Sequence, residues 1–150
     1  MAFLSSLNIP ASALTAQRFR TDIILQNIAN QTTTRTANGD PYRRKQVVFE
    51  ERPLSFDKRL SDASAALAKK RGDSLGGVKV TKISESQKPF VPIYDPDHPH
   101  ANEDGYVMMP NVNNTEEQVD LMAASRAYDA NMTALSVVKA MALKALEIGR

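Results

Sequence analysis

The two histidines of the chain, His98 and His100, both lie in DPDHPHANEDGYVMMPNVN (residues 95–113), beside Asp95, Asp97, Glu103 and Asp104. Imidazole and carboxylate are common donors of a catalytic metal site. Side chains two residues apart on an extended segment point the same way, so the spacing permits a shared ion. Pro96 and Pro99 hold the residues before them extended, which does not bring ligands to one point. No further histidine and no cysteine exists to complete a ligand set. The expectation is a carboxylate-rich surface turn feeding the strand-like GYVMMP, with no metal ligand, no cofactor and no catalytic residue.

Other chemistries find less. There is no G-x-S-x-G elbow, and no histidine outside that turn to act as a base. The glycines stand singly apart from Gly76 and Gly77, so no phosphate-cradling loop is present. YRRKQ and AKKRG are basic but are offset by FEE and nearby aspartates. With a formal charge of +2 and no aromatic interleaving, a solvated face is expected and no nucleic-acid partner. The N-terminal stretch has neither a basic n-region nor a continuous apolar run, so no cleaved secretory leader is expected. No segment is apolar enough to insert directly in a membrane.

The elements that would position any site fall into three zones of the 150-residue chain. Residues 1–34 are rich in alanine, leucine, isoleucine, glutamine and arginine and lack glycine. Leu7, Leu14 and Ile28 share one heptad position, and Ala11 and Leu25 the partner position, which predicts an amphipathic helix. Pro10 fits only the first helical turn or a kink; the start is placed near Asn8–Pro10 and the end near Asn30, before the turn chemistry of QTTTRTANGDP. Residues 35–113 predict a small β-rich unit with short antiparallel strands at KQVVFEE, GVKVTKI, PFVPIY and GYVMMP. Within it, a polar, alanine-containing insert near 57–76 reads as a mobile loop or a short helix.

Residues 114–150 predict a long helix. Asn114 with Glu117 forms a capping-box pattern, and acidic residues at the start with Lys139, Lys144 and Arg150 toward the end complement the helix dipole. Leu121, Tyr128, Leu135 and Ala142 recur at one seam position; Ala124, Asn131, Val138 and Ala145 fill the other. Met122, Val137, Met141 and Ile148 form a second stripe, so this helix has apolar surface for more than one neighbour. The fold class expected is mainly α with a small β unit. The terminal helices (1–34 and 114–150) pair as a coiled-coil-like hairpin that forms an assembly core, with 35–113 between them. Candidate subunit-interface residues are the apolar Leu14, Ile28, Leu121, Leu135 and Val138, with Tyr128 on the same seam. Gln17, Arg18, Asn27, Asn30, Arg126 and Asn131 would supply polar specificity. Asn27 and Asn30, one turn apart, are possible partners of Asn131, whose polar side chain on an apolar seam would fix register.

The same residues carry a family resemblance. ASALTAQRFRTDIILQNIANQTT resembles the N-terminal motif of flagellar rod and hook axial proteins, built on A-L-x-A-Q-x-R and N-I-A-N-x-x-T. GDPYRRKQVVFEE, YDPDHPHANEDGYVMMPNVN and EEQVDLMAASRAYDANMTALSVVKAMALKALEIGR are similar to the proximal-rod branch of that family, in order and over roughly two-thirds of the chain. The chain departs from the family where Gly39, Asp40 and Pro41 replace a common Gly-Gly-Pro, at His100 where aspartate is common, and at Pro10. The resemblance implies a structural subunit, not an enzyme, of a hollow shaft in the flagellar basal body. That shaft crosses the periplasm, transmits torque and surrounds the export channel. It further implies contact with copies of itself, with adjacent proximal and distal rod subunits and a rod-base adaptor protein, and passage through the flagellar type III export apparatus without cleavage. Interrupted, small-residue seams are marginal alone, so both chain ends are expected to be partly disordered in the free monomer.

Overall fold

The structure, a computed structural model, describes residues 2–52 and 76–148, with side chains from 7 to 52 and from 76 to 147. The insert near 57–76 falls outside the described residues except for Gly76, as does Arg150. The elements in chain order are α1 (Ala2–Ala29), β1 (Lys45–Glu51), β2 (Val78–Glu85), β3 (Val91–Tyr94), β4 (Tyr106–Met109) and α2 (Asn114–Ile148). Two helices and two small antiparallel sheets thus make up the described fold, β1 pairing with β2 and β3 with β4. No described helix is long and apolar enough to cross a membrane.

The chain divides into two compact units. One comprises Met1–Gln17, Phe49–Thr81 and Ala127–Arg150; the other comprises Arg18–Val48 and Lys82–Arg126. The division falls within both helices and within β1 and β2.

In the first unit, α1 begins earlier than its proline suggests. Pro10 is buried inside the helix rather than in its first turn. Its ring removes one backbone hydrogen bond, to the carbonyl of residue 6, and the helix continues across the gap. Two residues on, the Ser12 hydroxyl donates to the Ile9 carbonyl (2.8 Å) and accepts from the Val78 amide (3.0 Å), tying the helix to the start of β2. Gly77, with φ +84°, supplies the left-handed turn that aims that amide. Its own carbonyl accepts from the Arg52 amide (2.9 Å) at the end of β1.

In the second unit, α1 buries Ala16's successors on the helix face, Ile23 and Ile24, together with Asn27. The heptad reading placed Ala11 and Leu25 on the seam, but both are exposed, Leu25 at 48 %. The covered row lies one residue earlier, through Pro10, Gln17 and Ile24, beside Leu14, Thr21 and Ile28, so the seven-residue spacing holds while the partner position shifts by one. In α2 the expected seam is largely covered: Leu121, Ala124, Asn131, Leu135, Val138 and Ala142 are buried or half-buried, while Tyr128 and Ala145 are exposed. α2 has Glu116 and Glu117 in its first turn and no basic residue in its last; Lys144 instead pairs with Glu147 at 2.7 Å.

The β3–β4 hairpin pairs Val91 with Met109, Ile93 with Val107 and Tyr94 with Tyr106. Val107 is 1 % exposed and anchors it.

Gly77→Ala is expected to destabilise the chain by more than about 1 kcal/mol in urea titration. The left-handed φ is strained for alanine, and the added Cβ would stand 2.4 Å from Ser12 Oγ.

Candidate functional site

The histidine turn closes on itself. The His98 amide donates to the Asp95 carbonyl (3.4 Å), and the His98 Nδ1 accepts from the His100 amide (3.1 Å). His100 Nδ1 bonds to the Thr34 hydroxyl at 2.9 Å. Gly105 (φ +79°) and the Asn102 amide to Tyr106 carbonyl bond (2.9 Å) complete the turn into β4. Both Nδ1 atoms therefore serve the shape of the loop. Among the described residues no group of three or more histidine and carboxylate side chains gathers around a point.

The most heavily committed side chains lie elsewhere in the second unit. After α1, the turn from Gln31 to Pro41 folds back, with the Tyr42 amide donating to the Thr33 carbonyl (3.1 Å). This returns Tyr42, Arg44 and Lys45 to Asn27. The Asn27 side chain is 1 % exposed and uses its whole hydrogen-bonding capacity. Its Nδ2 donates to the Lys45 carbonyl (2.9 Å) and to Glu117 Oε2 (3.0 Å). Its Oδ1 accepts from the Tyr42 hydroxyl (2.9 Å) and the Lys45 amide (3.0 Å). Because the Lys45 N–H can only donate and its C=O only accept, the amide orientation of Asn27 is fixed.

Glu117, fully buried, takes Arg44 Nε on its other oxygen. Arg44 Nη2 reaches Asp120 Oδ2 (2.9 Å), and Asp120 Oδ1 takes Arg20 Nη2 (3.3 Å). The Arg44 amide donates to Asn111 Oδ1 (2.8 Å), and its carbonyl accepts from the Ser86 amide (2.8 Å). Asn111 Nδ2 closes the periphery on the Lys88 carbonyl (2.9 Å). Burial alone would lower the pKa of Arg44, but the hydrogen bond and charge of Glu117, with Asp120 behind it, outweigh burial and raise it. Burial, then the charges of Glu117 and Glu85, push the Tyr42 phenol up to about 12.

The capping box expected from Asn114 and Glu117 does not form. Asn113 caps α2, its Oδ1 accepting from the Thr115 amide (3.0 Å), while Asn114 bonds to the Gln118 side chain (3.3 Å). Glu117 turns inward because a guanidinium and an amide satisfy its charge there better than one backbone N–H would.

Of the residues singled out from sequence, Leu14, Gln17, Ile28, Asn30, Leu121, Asn131, Leu135 and Val138 are half-buried; Arg18, Arg126 and Tyr128 are exposed. Asn27 is the one that enters the network. Asn131 Nδ2 bonds to the Ala127 carbonyl of its own helix (2.7 Å), and Asn30 Nδ2 to the Gln26 carbonyl (2.8 Å). Tyr42, Arg44, Asn111, Glu117 and Asp120 were missed. The signal was present for Glu117, which lies seven residues before Ala124 and so occupies a seam position; a carboxylate there needs a buried cation.

Residues 103–148 match the family model described as flagellar basal body rod FlgEFG protein C-terminal. Over its full length the chain is similar to the flagellar basal-body rod protein FlgC of Bacillus subtilis (strain 168), 46 % identical with all of both chains covered. It is 41 % identical to the FlgC of Salmonella typhimurium (strain LT2), again over all of both chains. It is also 41 % identical to that of Borreliella burgdorferi, over 99 % of this chain and 98 % of the relative. The chain belongs to the FlgC family of flagellar basal-body rod proteins. It is a structural protein of the flagellar basal body, and not an enzyme. The resemblance in the N- and C-terminal motifs is thus a family relationship, and in this FlgC-family chain those motifs supply Asn27 and Glu117 to one buried contact.

Glu117→Ala is expected to cost about 3–5 kcal/mol in chemical denaturation, because it leaves Arg44 as a buried, under-paired charge. The raised Tyr42 phenol ties stability to its neutral form: that contribution is present below about pH 10 and is lost as pH rises through about 12. The urea midpoint should fall across that window. Tyr42→Phe should flatten the fall while lowering stability near neutrality by about 0.5–1.5 kcal/mol for the missing hydrogen bond.

Proposed function

We propose that this FlgC-family chain polymerises through its terminal helices into the hollow axial rod, which transmits torque and surrounds the export channel. Residues 1–34 and 114–150 form the assembly core as a coiled-coil-like pair, and residues 35–113 lie outside it. The observation that carries this reading is the apolar surface of α2. Met132, Val137, Met141, Leu143 and Leu146 are 46–72 % exposed and point to several sides of a helix whose seam residues are already half-buried. A helix that is apolar on most of its circumference is one that other elements surround. Pairing of the two helices is supported by the Asn27–Glu117 and Arg20–Asp120 contacts.

The neighbours are copies of the same chain, the adjacent rod subunits and the rod-base adaptor, joined head to tail so that contacts propagate instead of closing into a ring. Asn27, expected at the interface, is saturated by partners within the chain; Leu14, Gln17, Arg18, Ile28, Asn30, Leu121, Arg126, Tyr128, Asn131, Leu135 and Val138 are the residues assigned to these contacts. The hairpin adds a lateral surface: Val91, Ile93, Met109, Pro110 and Val112 line a groove of about 450 Å³. Delivery is through the flagellar type III apparatus.

Mass spectrometry of detergent-washed basal bodies, stripped of hook and filament, tests the reading. The chain is expected to stay with the rod. Its absence while other rod proteins remain would overturn the assignment.

A further inference from the structure

We propose that the buried network of Asn27, Arg44, Glu117 and Asp120 acts as a register lock: it determines specificity of assembly by fixing the rotation of α2 within the free subunit, rather than by adding stability. The inference rests on the polymerisation proposed above and assigns these residues a role within it.

Three observations carry it. The first is saturation. Asn27 fills all four of its hydrogen-bonding positions, two of them on the backbone of one residue, Lys45, and a third on Glu117. Sliding α2 by one residue would move Glu117 by about 1.5 Å along the axis and 100° around it, leaving Asn27 Nδ2 and Arg44 Nε without their partner. A neighbouring register is therefore not a slightly weaker version of this one. The second is reach. Arg44 spans Glu117 and Asp120 with two separate nitrogens, so it reads two positions on one face of α2 and distinguishes rotation from translation. The third is energetic. Two opposite charges taken out of water gain little over an apolar pair of the same size, so burial of Glu117 at 0 % exposure is poorly explained by stability alone.

The consequence travels along one element. Within the second unit the rotation set at Glu117 decides where Val119 and Met122 of α2 face. These are exposed apolar residues for which a neighbour's surface must be complementary.

The test compares stability with assembly in the full-length chain, expressed in source cells lacking their own copy. Glu117→Leu alone should lower the melting temperature and abolish retention in washed basal bodies. Arg44→Met combined with Glu117→Leu removes both charges, leaving Asp120 with Arg20 and Asn27 with Lys45. The double variant should melt well above Glu117→Leu alone, short of the wild type only by the one Asn27 proton left unpaired, yet be retained at least tenfold less and swim poorly. Recovery of both melting temperature and retention would overturn the lock and leave the network a matter of stability. Arg44→Lys covers the case in which the double variant does not fold. It keeps the charge but cannot bridge Glu117 and Asp120 together, so it should melt near the wild type and be retained several-fold less. Wild-type retention and swimming with Arg44→Lys would likewise overturn the proposal. Failure of the wild-type chain to be retained would instead strike the polymerisation reading on which the lock depends, and the lock would fall with it.

Discussion

A single amide side chain imitates a piece of β-strand at the centre of the second unit. Asn27 meets the N–H and the C=O of Lys45 as a neighbouring peptide would, and then offers its remaining proton to a carboxylate on the other helix. Three segments converge on it: the end of α1, the start of β1 and the first turn of α2. No other residue type satisfies that set. Aspartate would bring a second negative charge to Glu117 and lose both donors; leucine would leave two backbone groups of Lys45 unanswered. The strand, the turn before it and the inward rotation of Glu117 all follow from this requirement.

What the amino-acid pattern made legible was the local part of the structure. The strands at KQVVFEE and GYVMMP fall close to where alternation and bounding prolines put them, and α2 starts at Asn114 as its polar flank suggests. Periodicity of this kind depends on neighbours a few residues apart. The network was not legible because it depends on partners far apart: Arg44 with Glu117, and Asn111 with Arg44. Glu117 was misread as a cap because a local explanation for an acidic residue in a first helical turn is complete in itself. The same residue also sits on the seam, seven positions before Ala124.

The errors in α1 have different causes. Pro10 marked a boundary under the rule for an isolated helix, in which the missing hydrogen bond and the ring clash are decisive. Here the proline is buried, and the Ser12 hydroxyl holds the next turn to Val78. Leu25 falls on the exposed side because the partner row runs through Pro10, Gln17 and Ile24, one residue before Ala11 and Leu25. The histidine turn leads into β4, and the structure gives each Nδ1 a backbone or hydroxyl partner.

The Asn27–Glu117 contact spans 90 residues of chain. Contacts at such separation form late, because the intervening chain must first be gathered in. On the proposed route of delivery, a chain threaded through a narrow passage has one of these residues on each side of the barrier for most of its transit. The core of the second unit then has no means of closing early, whichever end leads. On that route the 90-residue separation of the two halves of the central contact would act as a timer: the molecule would stay pliable in passage and take a fixed shape only after both residues had emerged.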